Sequence, residues 1–480
     1  MFMADLKSRV ITVAPMAPEK CAYALARYSR SPDSIAKSID WVRTHDSAKF
    51  LESFYFQYGH GSIADLGHLV MCFEGLSELA ATEVEDEQLW DGQARSSRYQ
   101  NFGKSGFVFP SELTEPVGRE LYRVTAESLL AGYSKIHEKM IDHLCEQLPR
   151  PGEMDEAAYM RNIAARAFDV ARYCLFWGIP TGVGQITSIR TLERQIRRMK
   201  ASEFQELREL AQEIAEACTR PPTLRLDETM ANEPIAPTLA KYVDADTHTS
   251  QARADLRQWA RQNLPPREEP EPDYVVDLIE PRSVEGDIAA TLIFGVTAHP
   301  YRWLYEVMVD RPSLRREAID VALRSRTRRV ELLGGFRGGP FVYDIKMDIG
   351  AYRDMHRHRR CQQSRQEFST ALGYETPEAI RQAGLEDAYR EVQDGAVRAF
   401  SQLPSPANQY ILPFSTRGRF LFKMDFAEVE YITRLRSGVK GHFSYRRVAW
   451  EMKRRMDELH PELGRLIQAT PPEVEDPLKR

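Results

Sequence analysis

The chain has 480 residues, 42% of them apolar, enough for about two or three domains with ordinary globular cores. A net charge of −5 and a pI near 6.2 argue against a general nucleic-acid binder, so any phosphate contact has to come from a local cationic patch. Six scattered cysteines without a CxxC pair exclude a short disulfide framework and a structural zinc site, and they point to a reducing compartment. The amino terminus, MFMADLKSRVITVAP, carries no long apolar run, and no stretch is apolar for long enough to cross a bilayer. The expectation is a cytoplasmic protein with no membrane partner.

In chain order, GHGSIAD (59–65) precedes HLVMCFEGL (68–76), which reads as a strand, and then SELAATEVEDEQL, which has a helical pattern. QARSSRYQNF (93–102) follows as a loop or helix start, and NIAARAFDVARYCLFW and TLERQIRRMKASEFQELRELAQEIAEA are long amphipathic helices. Between Thr219 and Glu285 the composition turns rich in proline and acid, the mark of a linker, with a short helix over 249–263. FVYDIKMDI (341–349) alternates, with Phe341, Tyr343, Ile345, Met347 and Ile349 on one face and Asp344, Lys346 and Asp348 on the other. That period predicts a half-buried strand. GAYRDMHRHRR reads as a helix running into a loop, and EVEYITRLRSG and FSYRRVAWEMKRRMDEL as closing helices. The tail from residue 469, rich in proline and charge, is expected to be poorly ordered. The order strand, helix, loop, long helices recurs, which suggests an internal duplication with an α+β domain over 1–225, a linker over 226–272, and a second α+β domain over 273–468.

The densest cationic knot is RDMHRHRRCQQSRQE (353–367), with Arg357, Arg359, Arg360, His356 and His358 in five consecutive positions. Alone, such a segment reads as a solvated helical face. In its setting it resembles the signature of the flavin-dependent thymidylate synthases, in which RHR is followed after seven residues by S-x-R-Y. That signature is divided between the halves here. The second half has RHR at Arg357, His358 and Arg359, with Glu367 and Ser369 in place of the serine and arginine. The first half has Asp86-Glu87-Gln88 opposite RHR but keeps Ser96, Arg98 and Tyr99. It also keeps the upstream His60 and Ser62, where the second half reads GGFRGGP. Arg172 stands on the family arginine that Gln409 replaces in the second half, and Arg436 on the helical arginine that Met199 replaces in the first.

In that family the nucleotide site lies between subunits, and the two halves here hold complementary sets. The resemblance therefore implies two tandem thymidylate-synthase-complementing-protein-like domains forming an intrachain pseudo-dimer with one composite site. It implies reductive methylation of dUMP to dTMP, with FAD as cofactor and NADPH and 5,10-methylenetetrahydrofolate as co-substrates. Ser96, Ser97, Arg98, Arg172, Asp354, Arg357 and Arg436 would contact dUMP. His60, Ser62, Arg190, Arg357, His358 and Arg359 would contact FAD. Arg357 and Arg436 would carry the catalysis, Arg436 through its charge beside the uracil. No metal is implied. The family works as a tetramer, so a homodimer of this chain, with four such domains, is expected. Asp354 replaces a family glutamine and Ala94 a family glutamate. These departures leave open a flavoprotein acting on another pyrimidine nucleotide, or an inactive nucleotide-binding protein. The basic segments 311–337 and 434–455 leave open binding to nucleic-acid phosphates, against which the acidic remainder of the chain argues.

Overall fold

The structure is a computed structural model that describes residues 17–28, 35–53, 61–95, 102, 106–222, 234, 236–268, 270–327, 333–476 and 478. Among them seven strands form two sheets. β1 (His68–Ser77), β2 (Asp91–Ala94) and β3 (Pro180–Ser188) lie in the order β1-β3-β2. β4 (Val276–Ile279), β5 (Phe341–Asp348), β6 (Gln362–Arg365) and β7 (Arg417–Met424) lie in the order β4-β5-β7-β6, antiparallel throughout. With its helices this is the mixed α+β fold expected from the sequence. No helix among the described residues is long and apolar enough to span a membrane.

The chain divides into two compact units. One takes Met1–Met71, Gln185–Lys200 and Glu209–Ala245. In it the helix Pro18–Tyr28 packs Ala22 and Ala26 against Leu51 and Ile63. Its buried Glu19 accepts hydrogen bonds from Thr238 N at 2.7 Å, Thr238 Oγ1 at 2.8 Å and Leu239 N at 3.2 Å, which ties residue 238 to the first helix.

The second unit, Cys72–Gly184, Ala201–Arg208 and Asp246–Arg480, carries segments of both sequence halves. Its local structure repeats. β1 ends on Ser77, whose hydroxyl accepts from Ala80 N at 2.9 Å and caps the helix Glu78–Glu85. β5 ends on Asp348, whose carboxylate accepts from Ala351 N at 2.8 Å and caps the helix Ile349–Met355. Each cap satisfies an N–H that the first helical turn leaves unpaired. Further bonds recur at matched positions. Glu78 N donates to Ile179 O at 3.0 Å, as Ile349 N does to Thr416 O at 2.9 Å. Tyr122 OH donates to Val108 O at 2.9 Å, as Tyr389 OH does to Glu375 O at 2.6 Å.

Contacts across the halves are reciprocal. Trp177 N donates to Leu412 O at 3.2 Å and Phe414 N to Leu175 O at 2.7 Å, flanking a bridge between Phe176 and Pro413. Gln88 Nε2 donates to Gln362 Oε1 at 2.8 Å, while Arg359, which aligns with Gln88, donates to Asp91, which aligns with Gln362, at 3.2 Å. The long helices Pro116–Gln147 and Glu386–Gln402 pack together with Gly132 beneath Val392.

β5 departs from the half-buried strand its alternation predicts. It is buried on both faces, with Asp344 and Asp348 at 0% and 1% exposure. The polar face is covered by matching donors rather than by water. Asp344 accepts from Tyr301 N at 2.9 Å, Tyr274 OH at 3.0 Å and Arg419 Nη1 at 3.2 Å. Burial pushes the Asp344 carboxyl up to about 7, against the pull of the hydrogen bonds from Tyr301 and Tyr274. The helix Thr247–Asn263 adds Leu256, Trp259 and Ala260 to a core with Ile293, Phe294, Leu304, Val342 and Leu421.

The entry to β5 passes backbone against backbone. A Cβ on Gly339 would lie 2.4 Å from the carbonyl carbon of Met424 and 2.5 Å from its oxygen, neither of which a side-chain rotation can move. Gly339→Ala is therefore expected to cost about 1–3 kcal/mol, read as a lower midpoint of chemical denaturation.

Candidate functional site

The predicted site begins where the helix Glu156–Ala171 ends. Asp155 caps its start, accepting from Ala158 N at 3.0 Å, and a 3₁₀ turn, Arg172–Cys174, follows its end. Arg172 points inward from that turn and is 4% exposed. Its Nη1 lies 3.5 Å from Oδ2 of Asp354, on the helix Ile349–Met355 of the other half. Arg172 Nε and Nη2 are buried and find no acceptor among the described residues.

Asp354 sits at the centre of a guanidinium cluster. Burial works against its charge, but Arg172, Arg357, Arg436 and Arg353 together hold its carboxyl below the usual carboxylate range. Arg353, one residue before it, is committed elsewhere. It donates to the Glu78 carboxylate at 2.5 Å and 3.0 Å, with both side chains buried, and lies 4.4 Å over the Phe414 ring. Arg357 is partly buried, and its Nε likewise has no acceptor among the described residues. His356, buried, meets Tyr352 OH at 3.1 Å and Gln363 Oε1 at 3.0 Å through Nδ1.

The rest of the knot is not a solvated face; of its five cationic residues only Arg360 is exposed. His358 is buried, accepting from Arg436 Nε at 2.7 Å. Arg359 lies 4.8 Å over the Trp90 ring and pairs with Asp91 at 3.2 Å. Arg436, at the end of the helix Phe426–Arg436, also lies 5.6 Å over Tyr445. Thus Arg172 from one half converges with Arg357 and Arg436 from the other on Asp354. In the position related to Asp354 by the repeat, Glu83 pairs with Arg365, whose guanidinium lies 4.8 Å over Phe368. In the sequence, Gln409 and Met199 stand in place of Arg172 and Arg436.

Of the remaining expected residues, His60, Ser96, Ser97 and Arg98 lie outside the described residues. Ser62 is exposed on the 3₁₀ turn Gly61–Leu66. Arg190, in the first turn of the helix Ile189–Lys200, lies 3.2 Å from Asp65. Glu78, Glu83 and Glu428 are the site neighbours that sequence reasoning missed. Glu78 follows a capping serine, which marks a helix start, but nothing local signals that its partner stands 275 residues on.

Chemically, the arrangement suits an anion with several oxygens. A phosphate accepts forked guanidinium donors, and three buried guanidinium nitrogens here find no acceptor among the described residues.

The model of the thymidylate synthase complementing protein family matches residues 10–221 and 326–462. A UPF0159 protein of Chlamydia muridarum is 26% identical over 86% of this chain and 79% of its own. A UPF0159 protein of Thermoplasma acidophilum is 22% identical over 92% of this chain and 94% of its own. A solved flavin-dependent thymidylate synthase from Helicobacter pylori, complexed with FAD and dUMP, aligns with 46% of this chain and 95% of its own. It shares 14% identity with this chain, with a TM-score of 0.28. The family match spans well over half of the sequence, and the chain belongs to the thymidylate synthase complementing protein family.

Proposed function

We propose that the chain is a tandem, single-chain flavin-dependent thymidylate synthase, with domains over 1–225 and 273–468 forming an intrachain pseudo-dimer around one composite site. Its reaction would be the reductive methylation of dUMP, with methylenetetrahydrofolate as one-carbon donor and NADPH as reductant. The observation that carries this reading is the meeting of Arg172 with Arg357 and Arg436 from the other half, with buried N–H groups left for an incoming anion. The reciprocal contacts across the halves support the pseudo-dimer.

In this reading Arg172 and Arg357, with Ser96, Ser97 and Arg98, bind the nucleotide phosphate, and Asp354 lies beside it. Arg436 places a fixed positive charge at the uracil, where it favours the deprotonated, more nucleophilic ring. His60, Ser62, Arg190 and Arg359, with Arg357 on the nucleotide side, hold FAD, which supplies the redox chemistry when bound. The chain's own part is to bind, orient and neutralise charge. A cytoplasmic homodimer completes the proposal.

Rescue of a thymidine auxotroph tests it. The wild-type chain is expected to restore growth without thymidine, and Arg357→Ala and Arg98→Ala to abolish that rescue. Equal rescue by both variants and the parent would refute the assignment of these arginines. Asp354 favours a second reading, because a carboxylate already neutralises part of the cradle. In that case the protein binds a different pyrimidine nucleotide, or binds nucleotide without turnover. A yellow protein that releases FAD speaks for a flavoenzyme, and a colourless one that binds dUMP for the second reading.

A further inference from the structure

The turn after the helix Ile349–Met355 lays the His358 ring against the side of the helix Phe426–Arg436. Arg436 Nε donates to His358 Nε2 at 2.7 Å. Arginine has no acceptor, so Nε2 must be the bare nitrogen and the ring proton must sit on Nδ1. Nδ1 faces Glu428 Oε1 at 3.6 Å, and the two side chains are only 4% and 8% exposed. The Tyr431 ring closes the site edge-on, 5.6 Å from the imidazole. Nε2 is therefore taken within the protein, and Nδ1 is directed at a carboxylate. Glu428 and Arg436 stand eight residues apart on one helix, and His358 bridges them.

We infer that Glu428 and His358 are positioning residues for Arg436: the carboxylate fixes the imidazole tautomer, and the bare nitrogen then fixes the guanidinium. The inference rests on the reading of the site above, where Arg436 faces the ligand, and it gives His358 a role through Arg436 rather than through a cofactor contact. The energetic reason is that an arginine on a helix end has several rotamers, and a charged hydrogen bond to a buried acceptor selects one. The charged groups acting on the ring are Glu428 and Arg436 from the helix, and Arg359 from its own turn. Burial lowers the His358 pKa below its ordinary value, and Arg436 and Arg359 act in the same direction while Glu428 partly offsets them. The ring thus stays neutral, and able to accept, through neutral pH. Protonation at lower pH removes the acceptor and sets two cations face to face.

The test uses the full chain labelled with nitrogen-15 in histidine, His358→Gln assigning the resonance by its loss. At neutral pH the His358 ring is expected to carry its proton on Nδ1, and Arg436→Met is expected to shift the Nε2 signal. A ring protonated on Nε2, or on both nitrogens, at neutral pH overturns the inference whether or not the protein binds nucleotide. Nucleotide affinity provides the second readout. His358→Phe, with no acceptor, is expected to weaken dUMP binding roughly ten- to hundredfold with flavin content unchanged. His358→Gln, whose side-chain oxygen can accept from Arg436, should recover most of the loss. Glu428→Gln removes the charge that favours the imidazolium, so the acid limb of dUMP binding should move to lower pH. Loss of flavin in His358→Phe with dUMP affinity intact would show the ring to be a cofactor ligand instead. A wild-type chain that binds neither dUMP nor FAD refutes the proposed function and leaves the tautomer measurement to decide this inference.

Discussion

Asp354→Asn is expected to make the protein less stable in phosphate-free buffer and a better phosphate binder at the same time. The carboxylate lies among four guanidinium groups, one of them 3.5 Å away, and a quarter of its side chain is accessible. Removing its charge leaves Arg172, Arg357 and Arg436 to repel one another. Because the site is partly open to water, the cost should be about 1–3 kcal/mol, below that of breaking a fully buried pair. The same change removes a competing anion from the cradle. Inorganic phosphate and dUMP should then bind roughly ten- to hundredfold tighter, the scale of one charge a few ångströms away in a medium of intermediate dielectric. Thermal melts with and without phosphate read both effects, and phosphate should restore more stability to the variant than to the wild type. The pH dependence has a definite sign. A carboxyl held below its unfolded value contributes stability that is complete above about pH 4 and is lost as pH falls through the lower folded value. The stability gap between wild type and Asp354→Asn should therefore close only in strong acid. Equal phosphate affinity in the two proteins would show that Asp354 does not face the anion.

The largest loss of stability is expected from Glu78→Ala. Glu78 and Arg353 join the two halves through a bidentate pair in which the side chains are 3% and 9% exposed. Deleting the carboxylate strands a buried guanidinium, and losses of this kind run to about 3–5 kcal/mol. The double variant Glu78→Ala, Arg353→Met removes both charges and keeps an apolar side chain over Phe414. It should regain much of what the single change loses. Denaturation midpoints of Glu78→Ala, Arg353→Met and the double variant decide it. If the double variant is as unstable as the sum of the single changes, the pair is not coupled.

Much of this organisation was legible in local sequence. The strand over 68–76, the helix that leads into RHR and the helix that ends on Arg436 follow from period and capping. Capping residues stand at matched positions because Ser77 and Asp348, like Ser188 and Asp425, each offer a side-chain oxygen to an N–H of the following helix. The pairing of Arg172 with residues of the other half was legible only through the order of motifs, since no spacing brings positions so distant together. What local pattern could not supply is the identity of charge partners. Alternation made Asp344 a solvent residue, yet Tyr274, Tyr301 and Arg419 give it an interior place. Asp354 stood out only as a replacement for a family glutamine, yet it is the centre of the cluster, where four arginines hold its charge against the effect of burial. Glu428 stands in the first turn of its helix and lies buried against His358, a partner that no local pattern names.

The central claim is that cationic groups from both halves of one chain make one nucleotide site. Calorimetric titration of the purified chain with dUMP tests it directly, using wild type, Arg172→Ala, Arg357→Ala and an equimolar, co-refolded mixture of the two variants. The account predicts one dUMP bound per chain, binding lost in each variant, and no recovery in the mixture. Two sites per chain, undiminished binding by Arg172→Ala, or binding restored in the mixture would contradict it.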